Sequence, residues 1–537
     1  MNNNLDVRTS LAISKGANYI SSFEALISEK GISLDLQKGE NHVISLFPVR
    51  SCDHFGSRAA DPNKQLGVEV KQELEPEYKS GTSEHIIMPA DCKLTMEDGS
   101  EQLADKFPLQ LSDKLTLTYG QIIGLGGDFY GDPKHPVCLA SSPINQFEAN
   151  FNKLKSSANE IEKILDIIQK YEFDPISDRI NKGQSPSGAF AAIPKTKSPN
   201  MNDEDLALDQ ATGGGGAYSL KFGRYTYLAK TNFDHFGEDA LTCYKAGHAL
   251  AQITAINAKN SFNPHAELMK AYAINAFADH FLTDLFAAGH IRTPRRKLFE
   301  SATSYFEEIF AGLCAKAMHD EDNKFGLWVE NNKGDKWVAY GDARYRDWCN
   351  AANRIIMKAA LQQSMHEVYE AFGTGSKIPD DKSKVLDYLP KIIQEINIKE
   401  LSAGHCKDPM NWKPLFWWDP MANMIMRRND INDTSDPSFC EQGRSHDKWG
   451  LSSTHAQLSN RSGLYMPKEE YFKAGYPFPP EEGGSYGEIG WPAGPSSING
   501  TEINGTDRVM KGVSGPTLAN VQWHIDAEIS KVFPINE

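Results

Sequence analysis

The chain has 537 residues, 40% of them hydrophobic and 24% charged, a composition that supports a large core and excludes wholesale disorder or a fibrous repeat. Its 56 basic and 71 acidic side chains leave a net charge of -15, which opposes long-range attraction to nucleic acid or to anionic membranes. No apolar run is long enough to span a bilayer, so no transmembrane segment is expected.

The first eight residues, from Met1 to Arg8, lack the basic start and apolar centre of a Sec signal peptide, which points to a cytoplasmic chain or to export by a non-Sec route. The 8 cysteines are widely scattered, without CxxC spacing, and read as reduced, buried thiols rather than a disulfide framework or zinc finger. Residues 1–140 form a first region, β-rich by pattern, in which short apolar runs such as Val43 to Phe47 and Leu115 to Tyr119 are broken by Gly, Pro and Asp. Residues 141–218 follow as a long helix and a linker. Phe147, Phe151, Leu154, Ile161, Leu165 and Ile168 recur at helical steps over 144–171, and 174–217 is rich in Ser, Pro, Gly and Asp, ending in four glycines.

Residues 219–378 read as a helical domain interrupted by a hairpin, with Gly326 to Val329 and Lys336 to Ala339 flanking the turn residues Asn331 to Gly334. Residues 379–537 contain one expected helix, 385–396, and are otherwise irregular. The predicted fold class is therefore mainly α, with a small β-rich N-terminal region and an inserted hairpin.

Within the helical domain, residues 266–288 place Phe277, His280 and Asp284 on one stripe. A buried imidazole and a buried carboxylate each cost several kcal/mol unless paired or metal-bound. Such a pair alone is as readily structural as metal-binding. Gly289 suits the left-handed residue that ends a helix and would turn His290 back toward the same site. His366 and Glu370 lie four apart on another predicted helix, and a third, 238–256, carries His248 on its apolar stripe. Imidazole and carboxylate without thiolate favour zinc or a similar borderline metal, and more than four ligands imply more than one ion.

The order Asp234, His248, His280-xxx-Asp284-xxxxx-His290, His366-xxx-Glu370 resembles the ligand order of the trinuclear-zinc fold shared by bacterial phosphatidylcholine-preferring phospholipases C and fungal single-strand-preferring nucleases. The surrounding text, Leu117-Thr118-Tyr119-Gly120-Gln121-Ile122 running into Gly126-Gly127-Asp128-Phe129-Tyr130-Gly131, Asn232-Phe233-Asp234-His235-Phe236 and Ala288 to Arg295, resembles a bacterial and fungal zinc metallophospholipase C family that includes effector lipases of intracellular pathogens. This resemblance implies a helical zinc-cluster domain holding two or three zinc ions. His248 and His280 would hold one, with Asp284 bridging to a neighbour; His290, His366 and Glu370 would hold another. Asp234 would act as general base or orient the attacking water, with a helix cap as its alternative.

Relatives with a Trp at the mature N-terminus complete a third site with it. This chain begins with Met1, so Asp128 and His235 are the candidates there, followed by His319, Asp320 and Asp322. The expected activity is hydrolysis of a glycerophospholipid such as phosphatidylcholine or phosphatidylglycerol, with Arg292, Arg295 and Arg296 either phosphate contacts or, the favoured reading, an exposed helix-end cluster. Trp412, Phe416, Trp417 and Trp418 are either a lipid contact or, the favoured reading, buried core. The alternatives are a zinc nuclease, and an effector or binding protein with a structural metal site.

Overall fold

The structure is a computed structural model that describes residues 67–70, 82–176, 203–215, 221–342, 344–345, 350–393, 411–434, 438–443, 448–459, 464–467, 496–498 and 501–503. Two compact units are present, each assembled from separate stretches of chain. The first takes the described residues of Ser80–Phe286 and Arg354–Leu389; the second takes those of Asp35–Lys79, Ala287–Asn353 and Pro390–Glu537. Helices dominate, the sheets are small, and no barrel occurs among the described residues.

The first described strand, β1 (Gly67–Val70), belongs to the second unit and pairs there with Leu464–Pro467. In the first unit, α1 (Thr82–Ile87) leads into two antiparallel hairpins, β2 (Lys93–Thr95) with β3 (Glu101–Leu103) and β4 (Leu109–Ser112) with β5 (Leu115–Leu117). Thr118 then starts α2 (Tyr119–Tyr130). Its hydroxyl accepts from Gln121 N–H while the Gln121 amide oxygen accepts from Thr118 N–H, a reciprocal cap that satisfies two donors at once. The N-terminal region is thus a mixture of short strands and helices; Val43 to Phe47 lies outside the described residues.

The single helix expected over 144–171 is two helices, α3 (Pro143–Lys155) and α4 (Ala158–Ile168), followed by a π-turn, Gln169–Phe173. The break falls at Ser156 and Ser157, whose hydroxyls both donate to the Lys153 carbonyl. Side-chain bonds of this kind compete with the helical ladder. Part of the expected linker is helical as well, as α5 (Asp203–Ala211).

After α6 (Arg224–Thr231), a 3-10 turn (Phe233–His235) leads into α7 (Gly237–Ala258). The next helix, α8 (Pro264–Asp284), starts with Pro264 in its first turn and is capped by the Asn263 side chain, which accepts from Ala266 N–H. From Ala271 to Asp284 every residue of α8 is buried, as befits a central helix. α7 packs along it, and α2 crosses it.

The chain enters the second unit through α9 (Ala288–Ile291), α10 (Arg295–Glu300) and α11 (Tyr305–Phe325). β6 (Leu327–Glu330) and β7 (Lys336–Ala339) then form the expected antiparallel hairpin, with Trp328 opposite Val338. α12 (Ala351–Thr374) returns to the first unit, where Ser364 accepts from Tyr244 Oη and Lys358 pairs with Asp91. The helix expected over 385–396 does not form in its described part. Lys384–Asp387 is a 3-10 turn and Lys391–Ile392 is a strand, β8, beside β6, because Pro390 can neither donate to a helix nor let its predecessor continue one.

The remainder of the second unit is built on β9 (Phe416–Asp419), β10 (Met424–Arg428) and β11 (Phe439–Glu441), an antiparallel sheet in the order β11-β10-β9. α13 (Leu451–Ser459) packs against α11. Leu298, Met318, Leu415, Phe416, Ile425 and Trp449 form the core between them. Arg428 donates to both Glu321 oxygens, at 2.8 and 3.1 Å, inside that core, a buried forked pair of the strong kind.

Candidate metal centres

The first centre is gathered around the end of α8. His280 and Asp284 stand one turn apart on this helix, α1 brings His85, α2 brings Asp128, and the 3-10 turn before α7 brings His235. His280 Nε2 is 3.3 Å from His235 Nδ1 and 3.6 Å from Asp284 Oδ2. His235 Nδ1 is 2.9 Å from Asp284 Oδ2 and 4.0 Å from Asp128 Oδ1; His85 Nε2 is 3.7 Å from Asp284 Oδ1. The rings of His85 and His280 stack at 4.9 Å. All are buried except Asp128, whose side chain is 13% exposed.

Hydrogen bonding outside the cluster turns two ring nitrogens inward. His280 Nδ1 lies 2.8 Å from the Ile123 carbonyl, which can only accept, so the proton sits on Nδ1. Burial pushes the His280 pKa well below its usual 6.5, against the pull of Asp284, which keeps the ring neutral. Its Nε2 lone pair therefore faces the Asp284 carboxylate. The Thr283 hydroxyl donates to the His280 carbonyl and so accepts from His85 Nδ1, at 3.0 Å, aiming His85 Nε2 at the same carboxylate. Lone pairs converging on a carboxylate repel unless a cation lies among them, and a backbone or hydroxyl partner on the far nitrogen is the usual support for a metal-bound imidazole.

Glycines let the elements close on this point. Gly126, with ψ -113, kinks α2, and a Cβ there would come within 2.6 Å of the His280 Cβ. A Cβ on Gly127 would meet His235 Nε2 at 2.7 Å.

The second centre lies in the second unit and joins His290 of α9, His319 of α11 and Asp342, just beyond β7. His319 Nε2 is 3.1 Å from His290 Nε2 and 3.0 Å from Asp342 Oδ2; His290 Nε2 is 3.6 Å from the same oxygen. Asp320 accepts from His319 Nδ1 at 2.8 Å. Asn323 accepts from Gly289 N–H and directs its amide at His319 Nε2. Burial would raise the Asp342 pKa, but His290 and His319 beside it hold it far below the carboxylate range. Gly289 is not a left-handed cap: α8 ends at Asp284, and Gly289 sits inside α9 without a positive φ. Small size is what matters there, since a Cβ would lie 2.5 Å from the His319 carbonyl.

Comparison with protein-family models, with curated proteins and with solved structures gives no match. The donor sets therefore carry the chemical reading. Three groups of ligand atoms, His85/Asp128/His280, His235/His280/Asp284 and His290/His319/Asp342, each lie within 4.8 Å of one another. They consist of imidazole and carboxylate with no thiolate, a set that fits a metal ion of zinc-like character.

The sequence-predicted residues divide accordingly. His280, Asp284, His235 and Asp128 come together, and His290 joins the other centre. His248 is elsewhere: it is clamped between Asn275 Oδ1 at 2.7 Å and Glu367 Oε2 at 3.1 Å. His366 and Glu370 lie on the exposed face of α12, so neither joins a centre; the buried acid of that helix is Glu367. Asp234 neither joins a centre nor caps the helix that follows it, which has no side-chain cap; each of its carboxylate oxygens accepts at 2.9 Å from a backbone N–H of a distant turn, of Val137 and Cys138.

Arg292 grips both Asp322 oxygens and the Trp412 carbonyl, Arg296 pairs with Glu300, and Arg295 is buried, its pKa pushed down to about 10 by desolvation. None of the three reads as a phosphate contact. His85 and Asp342 escaped the sequence reading because neither has a helical partner ligand at the i+3 or i+4 spacing that revealed His280 and Asp284.

Proposed function

We propose that this chain is a zinc-dependent phosphodiester hydrolase of phospholipase C type, cleaving phosphatidylcholine or phosphatidylglycerol to diacylglycerol and a phosphorylated head group. The observation that carries this reading is the first centre, where His85, His235 and His280 surround the Asp284 carboxylate in a buried site that opens at Asp128. Zinc in such a donor set lowers the pKa of bound water toward about 7 and neutralises phosphoryl oxygens.

In this reading Ile123 and Thr283 fix the imidazoles of His280 and His85, so the donors are oriented before any ligand arrives. Asp284 reaches three imidazoles and would be the carboxylate shared between metal ions. Asp128, the cluster member most open to solvent, would complete the His85/Asp128/His280 group and take the role that the resemblance implied for Asp234, orienting the attacking water. His290, His319 and Asp342 supply a further metal site.

Three measurements test the proposal. Elemental analysis of purified protein is expected to find two or three zinc ions, about one per ligand group; protein that folds yet takes up no zinc would refute the reading. His280→Ala and Asp284→Ala should abolish hydrolysis of a chromogenic choline phosphodiester. Side-by-side assays on phosphatidylcholine, phosphatidylglycerol and single-stranded DNA then identify the substrate class, and turnover of DNA alone would make the enzyme a nuclease.

A further inference from the structure

The outer face of the β11-β10-β9 sheet carries large apolar side chains where solvent meets it, set beside two acids, Asp419 and Glu441. Successive residues of a strand face opposite sides, so Phe416 and Trp418 turn to the core of the second unit while Trp417 turns away, 42% exposed. Trp417 stands opposite Met426, and Met424 opposite Asp419. The Phe439 ring lies 5.9 Å from that of Trp417. Residues 420–423 form the turn between β9 and β10, and its Met421 is 97% exposed. A lone exposed apolar residue means little, whereas an apolar face ending in a projecting side chain marks an interaction surface.

The charges at its rim indicate the partner. Glu441 stands on this face opposite Met426 and pairs with Lys448. Asp419 accepts from the turn N–H groups of Met421 and Ala422. The two acids of the face are locally held and the whole chain is strongly acidic, so the face suits a surface without net charge rather than an anionic one. Trp is also the side chain best suited to the layer where head groups meet acyl chains.

We infer that the β9–β10 hairpin docks the protein on a zwitterionic phosphatidylcholine surface, with Met421 and Trp417 entering the head-group layer. The choice of lipid over a protein partner rests on the phospholipid reading above; the binding itself can be measured without any turnover.

Sedimentation of the full chain with sucrose-loaded phosphatidylcholine vesicles tests it. The wild type should pellet with the vesicles, and Met421→Asp, a change at a fully exposed turn, should weaken partitioning about tenfold. Trp417→Ala should do the same, and both variants should hydrolyse a soluble choline phosphodiester like the wild type. Replacing part of the phosphatidylcholine by phosphatidylglycerol should weaken binding. Wild-type protein that stays in the supernatant, or a Met421→Asp protein that pellets equally well, would overturn the inference. If vesicles are left unbound while the soluble diester is cleaved, docking falls and the catalytic reading stands. Hairpin-dependent binding without any cleavage gives the reverse result.

Discussion

Asp234 and Asp128 show how far a residue's type and spacing determine its role. Asp234 precedes a helix and lies close to His235, yet its two oxygens are both used by backbone N–H groups. Asp234→Ala should therefore cost about 1–3 kcal/mol in chemical denaturation, the penalty for leaving buried donors unpaired, while zinc content stays unchanged; loss of zinc would return Asp234 to the metal site. Gly127→Ala should have the opposite profile, since its methyl group would press on His235 Nε2 from 2.7 Å and displace a ligand ring. Reduced zinc content in a folded Gly127→Ala protein is the expected outcome. His280 and Asp284 were legible because a polar pair on an apolar stripe needs a partner. His85 was not, because its partners Thr283 and Asp284 are almost 200 positions away (separation 198 for His85 and Thr283) and no spacing rule spans that distance.

At the scale of elements, α8 carries two polar faces. One holds His280 and Asp284. The other presents Asn275 and Asp279 to a buried network in which Tyr119 and Ser364 donate to the Asp279 oxygens, at 2.6 and 2.7 Å, and burial pushes the Asp279 pKa up to about 7. The network continues through Asn275 and His248 to Glu367 of α12, and this is where the sequence reading chose the wrong register. His366 and Glu370 share a face, as the four-residue spacing says, but that face points to solvent, and spacing alone cannot tell which side of a helix is covered.

Burial tends to raise the Glu367 pKa, yet hydrogen bonding and charge from His248, with help from Ser383 and Lys384 N–H, hold it below the ordinary 4.5. The folded protein thus binds fewer protons here than the unfolded chain, so the pair's stabilisation is present above pH 4.5 and is lost as pH falls through the folded value. Glu367→Gln should cost about 3 kcal/mol near neutral pH, and the gap to wild type should narrow on acidification below that value. A gap that does not change with pH would mean that the Glu367 charge is not what stabilises the pair.

For the molecule as a whole, the helices and the β6–β7 hairpin could be read from periodicity, but the partition of the chain could not. Each unit is discontinuous in sequence, and the contacts that define it, such as β1 with Leu464–Pro467 or Asn275 with Ser364, join distant segments with no local signature. This also separates ligands that look contiguous: Asp284 and His290 are six residues apart, yet they belong to ligand groups with no member in common. If the groups fill independently, substitutions in each should be additive. His319→Ala should remove only the zinc of the centre it shares with His290 and Asp342, and His280→Ala only the zinc of the centre around Asp284.

Thermal denaturation provides the matching energetic test, because a metal that binds only the folded chain stabilises it by about 2.7 kcal/mol at a free concentration one hundred times its Kd. Chelation should lower the Tm of the wild type, and should lower it less in either single variant. The double variant, His280→Ala with His319→Ala, should be insensitive to chelator. Complete loss of zinc in one single variant would show that the two centres fill cooperatively. A double variant still destabilised by chelator would show that another set of residues binds the metal.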